Sequence, residues 1–152
     1  MKIAIGSDHR GYPLKQELIA FLKEKGHEVT DLGTDSTDSC DYPLYSFAVA
    51  RAVSNGAAEC GIVVCNTGIG VSMVANKIRG VRAALCYETA AASTARRHNN
   101  ANVLALGAGY LTARTAKEIT QAFLTGQFEG GRHKRRVDQI SDIENQTEDN
   151  RL

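Results

Sequence analysis

No stretch of this chain approaches the roughly 18 consecutive apolar residues that a membrane-spanning helix needs. Neither sign of charge is in excess: 18 Lys and Arg stand against 17 Asp and Glu, a formal net charge of +1. That balance draws the molecule to neither nucleic acid nor a membrane, so any anion site must be local. The four cysteines, at 40, 60, 65 and 86, form no CxxC pair and no Cys/His spacing of a zinc site. A disulfide scaffold does not fit this length and cysteine density, and reduced thiols in a cytoplasm are expected. The opening MKIAIGSDHRG enters a strand pattern directly, without an apolar leader or a small-residue cleavage site. No metal constellation is apparent, and no cofactor is expected.

What is present suits one soluble domain. Hydrophobic residues make up 43% and charged residues 23% of 152 residues, a length that buries about 70% of the unfolded surface. Short apolar runs at 2–6, 28–32, 61–65, 81–86 and 102–106 read as strands, each close to a Gly, Asn or Asp. Leu14, Leu18, Phe21 and Leu22 mark one face of a helix between the first two runs. Leu44, Phe47, Ala48 and Ala52 mark a second helix, Ala116, Ile119 and Phe123 a later one, and Val137, Ile140 and Ile143 the last. Strands that are apolar throughout imply a parallel sheet covered on both faces. The alternation predicts a three-layer α/β/α sandwich, Rossmann-like and doubly wound, with five parallel strands. Residues 1–146 are read as a single domain and 147–152 as a polar tail expected to fray.

In such folds ligands sit beyond the carboxyl ends of the strands, so the loops there carry the functional reading. The first, GSDHRGYPLK, holds Asp8 and His9 in a tight turn; Asp8 either caps the next helix or faces the cleft. The second is rich in Asp and ends in Tyr42-Pro43, with Tyr42 either facing the cleft or part of the turn. The third, CNTGIGVS, places Cys65 at a strand end just before a helix, where the helix dipole favours the thiolate. Gly68 and Gly70 let backbone N–H groups converge on an anion, and Thr67 adds a hydroxyl. Cys65 is either a small buried thiol closing a strand or a base beside an oxyanion site. The run is not a Walker A loop and lacks the third glycine of a dinucleotide fingerprint.

Farther on, ARRHNNANVLALG sets His98 and Asn99 at a helix end. His98 is either a general acid or base or a charge facing the helix terminus. Arg132 and Arg136 lie one turn apart at the start of the last helix, either as a phosphate clamp or as part of a solvated basic face. A thiol base, an anion nest, a histidine acid and an arginine pair together suggest proton abstraction beside the carbonyl of a small phosphorylated compound. A nucleophilic hydrolase fits less well, because no carboxylate is evidently placed to orient a His beside Cys65.

The motifs GSDHRGYPLK, DYP, CNTGIGVSMVANKIRGVRAALC, RRHNNANVLALG and FEGGRHKRRV, in that order over residues 1–146, resemble ribose-5-phosphate isomerase type B. The wider family includes the galactose-6-phosphate isomerase subunits. The resemblance implies that Cys65 moves a proton between C1 and C2 through an enediolate, and that His98 helps open the sugar ring. It assigns Asp8, Tyr42, Thr67 and Asn99 to substrate hydroxyls, and His9, Arg132 and Arg136 to phosphate. The segment Gly68, Ile69 and Gly70 would hold the enediolate, with Asn66 also among the substrate-binding residues. It further implies a homodimer or dimer of dimers with shared active sites. Val71 stands where some relatives carry a glutamate base, which favours the cysteine chemistry.

Two positions depart from the family pattern. Asn66 replaces the glycine usual after the thiol, and Gly109 replaces an arginine that relatives use on phosphate. Arg114 is one replacement from elsewhere. These departures leave open a hexose 6-phosphate (allose or galactose) or a tetrulose phosphate as the substrate in place of ribose 5-phosphate.

Overall fold

The computed structural model describes residues 1–149, with side chains to Gln146. Its order is β1 (Lys2–Ser7), α1 (Tyr12–Glu24), β2 (Glu28–Asp31), α2 (Tyr42–Ser54), β3 (Cys60–Cys65) and α3 (Ile69–Ala75). Then follow β4 (Ala83–Leu85), α4 (Thr89–Asn99), β5 (Val103–Gly107), α5 (Ala113–Thr125) and α6 (Arg132–Asp149). All pairings are parallel, in the order β2-β1-β3-β5-β4. The predicted doubly wound α/β sandwich is therefore the fold observed. The strand order reverses between β1 and β3, which is the switch point where such sheets open a crevice.

The three central strands carry the core. β3 and β5 are buried along their whole length, and β1 is buried after Lys2. On one face of the sheet Leu14, Leu18 and Leu22 of α1 pack with Ile119 and Phe123 of α5, the stripes expected from their spacing. On the other face Val49, Ala50 and Val53 of α2 pack with Val71 and Ala75 of α3. Each buried aliphatic side chain contributes about 1.5–3 kcal/mol.

The face expected for α2 is wrong. Leu44 is 69% and Phe47 46% exposed, whereas Ser46, Val49, Ala50 and Val53 point inward. The reason is proximity. A Cβ on Gly6 would lie 2.9 Å, and one on Gly61 2.7 Å, from the Val49 methyl groups. The helix therefore lies too close to the sheet for large side chains between them. Ser46 fits there because its hydroxyl donates to Val71 O at 2.6 Å. In α6 only Val137 of the expected stripe is buried, while Ile140 and Ile143 are exposed. That helix continues to Asp149, past the boundary drawn at residue 146; residues 150–152 lie outside the described residues.

One buried charge braces the sheet edge. The Lys15 ammonium is fully buried, 2.5 Å from Asp31 Oδ1 and 2.6 Å from Thr34 O.

Candidate active site

Asp8 and Cys65 are neighbours across the switch point, since β1 ends with Ser7 paired to Val64. Asp8 is buried; its backbone N–H donates to Val64 O, and its Oδ1 accepts from Gly11 N–H at 2.8 Å. The carboxylate thus ties down the first loop at the entry to α1. His9 Nδ1 faces the Cys40 backbone, 3.2 Å from its N–H and 3.3 Å from its carbonyl oxygen.

The Cys65 turn is built from close backbone approaches. Cys65 is 5% exposed, and its Sγ accepts from Gly68 N–H at 3.1 Å. Ile69 N–H donates to Thr67 Oγ1 at 3.2 Å. Gly68 has φ +76°, a left-handed conformation suited to glycine. The expected anion nest is therefore closed upon itself: two of its N–H donors serve the thiol and the hydroxyl of the same turn. Tyr42 covers the turn from α2; a Cβ on Gly70 would lie 2.5 Å from Tyr42 Cζ. Ile69 is exposed at the start of α3.

The two departures meet in space. Gly109 N–H donates to Asn66 O at 2.8 Å, and a Cβ on Gly109 would lie 2.7 Å from Asn66 Oδ1. The Asn66 carboxamide thus occupies the ground any side chain at 109 would need first. Arg114 makes an ion pair with Glu118 on α5.

His98, Asn99, Arg132 and Arg136 form a second cluster at the other end of the sheet. α4 returns the chain to the start of β5, and Asn99 O accepts from Arg82 Nε, just before β4 begins. Cys65, by contrast, pairs with Gly107, the last residue of β5. The four steps of β5 alone separate these ends by about 13 Å. One chain therefore does not bring the thiol and His98 together.

Two residues of the second cluster escaped the sequence reading. His133 stacks on His98 with ring centroids 4.0 Å apart and planes 7° apart. Glu129 Oε2 lies 3.5 Å from His98 Nε2 and 3.7 Å from His133 Nε2, and Arg97 holds the other carboxylate oxygen. The Arg97 hydrogen bond is the main reason the Glu129 carboxyl lies below its usual value. Burial, then His98 and Arg132, push the His133 imidazole down. The spacing of Glu129 and His133, four residues apart, was the available clue. These ligand atoms lie within 4.8 Å of one another, but parallel rings keep their in-plane lone pairs parallel rather than convergent on a cation. Arg132 and Arg136 are exposed beside them on the first turns of α6.

A hollow of about 590 Å³ runs along the β4 edge, lined in part by Arg79, Arg82, Asn99, Ile140 and Ile143. It does not include the Cys65 turn.

The model of the Ribose/Galactose Isomerase family matches residues 3–140. The chain belongs to this family. It is thus an aldose–ketose isomerase by descent. It is 48% identical over 143 residues to the ribose-5-phosphate isomerase B of Escherichia coli, covering 94% of this chain and 96% of that one. The structure of Clostridium thermocellum ribose-5-phosphate isomerase B superposes with a TM-score of 0.96 at 48% identity, covering 97% and 99% of the two chains. That of the Mycoplasma genitalium enzyme with bound ribulose-5-phosphate gives 0.92 at 44% identity, covering 95% and 96%. No helix among the described residues is long and apolar enough to cross a membrane.

Proposed function

We propose that this isomerase interconverts ribose 5-phosphate and ribulose 5-phosphate, with Cys65 as the base. The observation that carries the reading is the Cys65 sulfur at the switch point, held by Gly68 N–H beside the Thr67 hydroxyl. The thiolate takes the proton from C2 of the open-chain aldose and returns it to C1. As the sulfur becomes a thiol, its claim on Gly68 N–H weakens, and that fixed donor, with the rest of the Thr67–Gly70 segment, serves the enediolate oxygen formed beside the sulfur. Asp8 and Tyr42 bind substrate hydroxyls, and His9 meets the phosphate. His98 moves the proton that opens the furanose ring, Asn99 binds the substrate, and Arg132 and Arg136 clamp the phosphate.

These roles need both clusters in one site, so a second copy completes each site in a homodimer or dimer of dimers. The separation of Cys65 and His98 along β5 supports this. So do the exposed Leu44 and Phe47 of α2 and Met73 of α3, apolar side chains on two helices that pack together. The free state of all four cysteines suits work in a reducing cytoplasm.

Cys65→Ala tests the reading. Turnover of ribose 5-phosphate is expected to fall by at least about 10³-fold, while calorimetry still detects substrate binding. Near-normal turnover would remove Cys65 as the base. Measuring kcat/KM of the unaltered enzyme on four-, five- and six-carbon sugar phosphates tests the substrate; a preference for four or six carbons would overturn it.

A further inference from the structure

Three successive carbonyls of the Cys65 turn are tied to neighbouring loops. Cys65 O accepts from Ala108 N–H and Asn66 O from Gly109 N–H, each at 2.8 Å. The third, Thr67 O, is held by a side chain: Tyr87 Oη donates to it at 2.5 Å. The Thr67 carbonyl and the Gly68 N–H belong to the same planar peptide and point away from it in opposite directions. That N–H is the one donating to Cys65 Sγ at 3.1 Å.

We propose that Tyr87 is a positioning residue for Cys65, gripping the Thr67–Gly68 peptide from its carbonyl side so that its N–H stays aimed at the sulfur. The inference rests on the reading of Cys65 as the base. A hydrogen bond to the carbonyl polarises the peptide and strengthens the opposite N–H as a donor. A stronger donor favours the thiolate over the thiol. The Tyr87 hydroxyl keeps the proton this bond uses: burial, then Tyr110 and Cys65, hold its pKa above the usual value. Its ring is braced edge-on against Tyr110, with centroids 5.7 Å apart. Gly107 makes room for both ends of the bond: a Cβ there would lie 2.6 Å from Thr67 O and 3.1 Å from Tyr87 Cε1.

Other titratable groups at this end include Asp8 and His9 on the loop after β1, Cys40 and Asp41 on the loop after β2, Tyr42 at the start of α2, Cys86 and Glu88 beside Tyr87, and Tyr110 on the loop after β5. All of them remain in Tyr87→Phe, which removes one oxygen and keeps the ring. The test is the pH dependence of Cys65 alkylation by iodoacetamide, followed on the Cys65 peptide by mass spectrometry in the folded enzyme. In Tyr87→Phe the midpoint is expected to rise by about 0.5–1 pH unit. The acidic limb of kcat should move with it, so that kcat at pH 6 falls about 3–10-fold while KM stays within about twofold. An unchanged alkylation midpoint, or an unchanged kcat at pH 6, overturns the proposal. The alkylation needs no turnover, so its outcome is independent of whether Cys65→Ala loses activity.

Discussion

If a second copy completes each site, two inactive variants should restore each other. The perturbation is a mixture of Cys65→Ala and His98→Asn chains, unfolded together and refolded, or co-expressed. In a dimer, one site takes Cys65 from the first subunit and His98 from the second, and the other site the reverse. A mixed dimer therefore concentrates both substitutions in one site and leaves the other intact. Random reassembly makes about half of the dimers mixed, each with one of two sites working, so specific activity should reach about a quarter of the unaltered enzyme. The separation along β5 decides the magnitude, since it prevents either chain from supplying both groups alone. The assay is ribulose 5-phosphate formation, with each variant alone as the baseline. Activity no higher than the mean of the two parents would refute the shared site and require Cys65 and His98 to act from one chain.

Two further outcomes follow from charges away from the thiol. Asp31→Ala leaves the fully buried Lys15 ammonium with the Thr34 carbonyl and the Tyr12 ring but no counter-charge; because Asp31 is itself 39% exposed, a loss of about 2 kcal/mol and about 5 °C in Tm is expected. Lys15→Met, which removes the buried charge, should cost less, and thermal melts in which it costs more would contradict this account. His133 titrates below its ordinary value of 6.5 because of burial, then His98 and Arg132. The unfolded chain binds that proton more tightly, so the stabilisation is present above the unfolded value and is lost as pH falls from there through the lower folded one. Melts should show Tm falling from about pH 7 to about pH 5.5, with a shallower slope in His133→Asn; equal slopes would count against it.

The fold was readable because its rules are local. The central strands β1, β3 and β5 are apolar runs that the sheet buries, and Leu14, Leu18 and Leu22 show the helical repeat of a face pressed on that sheet. The inward face of α2 was not readable, because there size decides rather than hydrophobicity. The two glycines that bring the helix close lie on β1 and β3, far from it in sequence. Cys65, Thr67 and Gly68 announced themselves as contiguous residues. Tyr87 did not, since its role lies in one hydrogen bond from the end of a different strand. The distance between His98 and Cys65 was legible in the connectivity, because in a parallel sheet a residue that ends a strand and one that ends the helix before a strand lie at opposite ends.

The contact between Asn66 and Gly109 also constrains the order in which this enzyme can change. A lone arginine at position 109 would arrive with its Cβ 2.7 Å from the Asn66 carboxamide and 3.0 Å from the Asn66 carbonyl oxygen. Shortening residue 66 to glycine first removes the nearer obstacle and does not disturb the Gly109 N–H bond to the residue 66 carbonyl, which belongs to the backbone. The path to a cation at position 109 is thus directional: it opens at residue 66 and is obstructed from the other side. The two positions are sterically coupled, and residue 66 must change first.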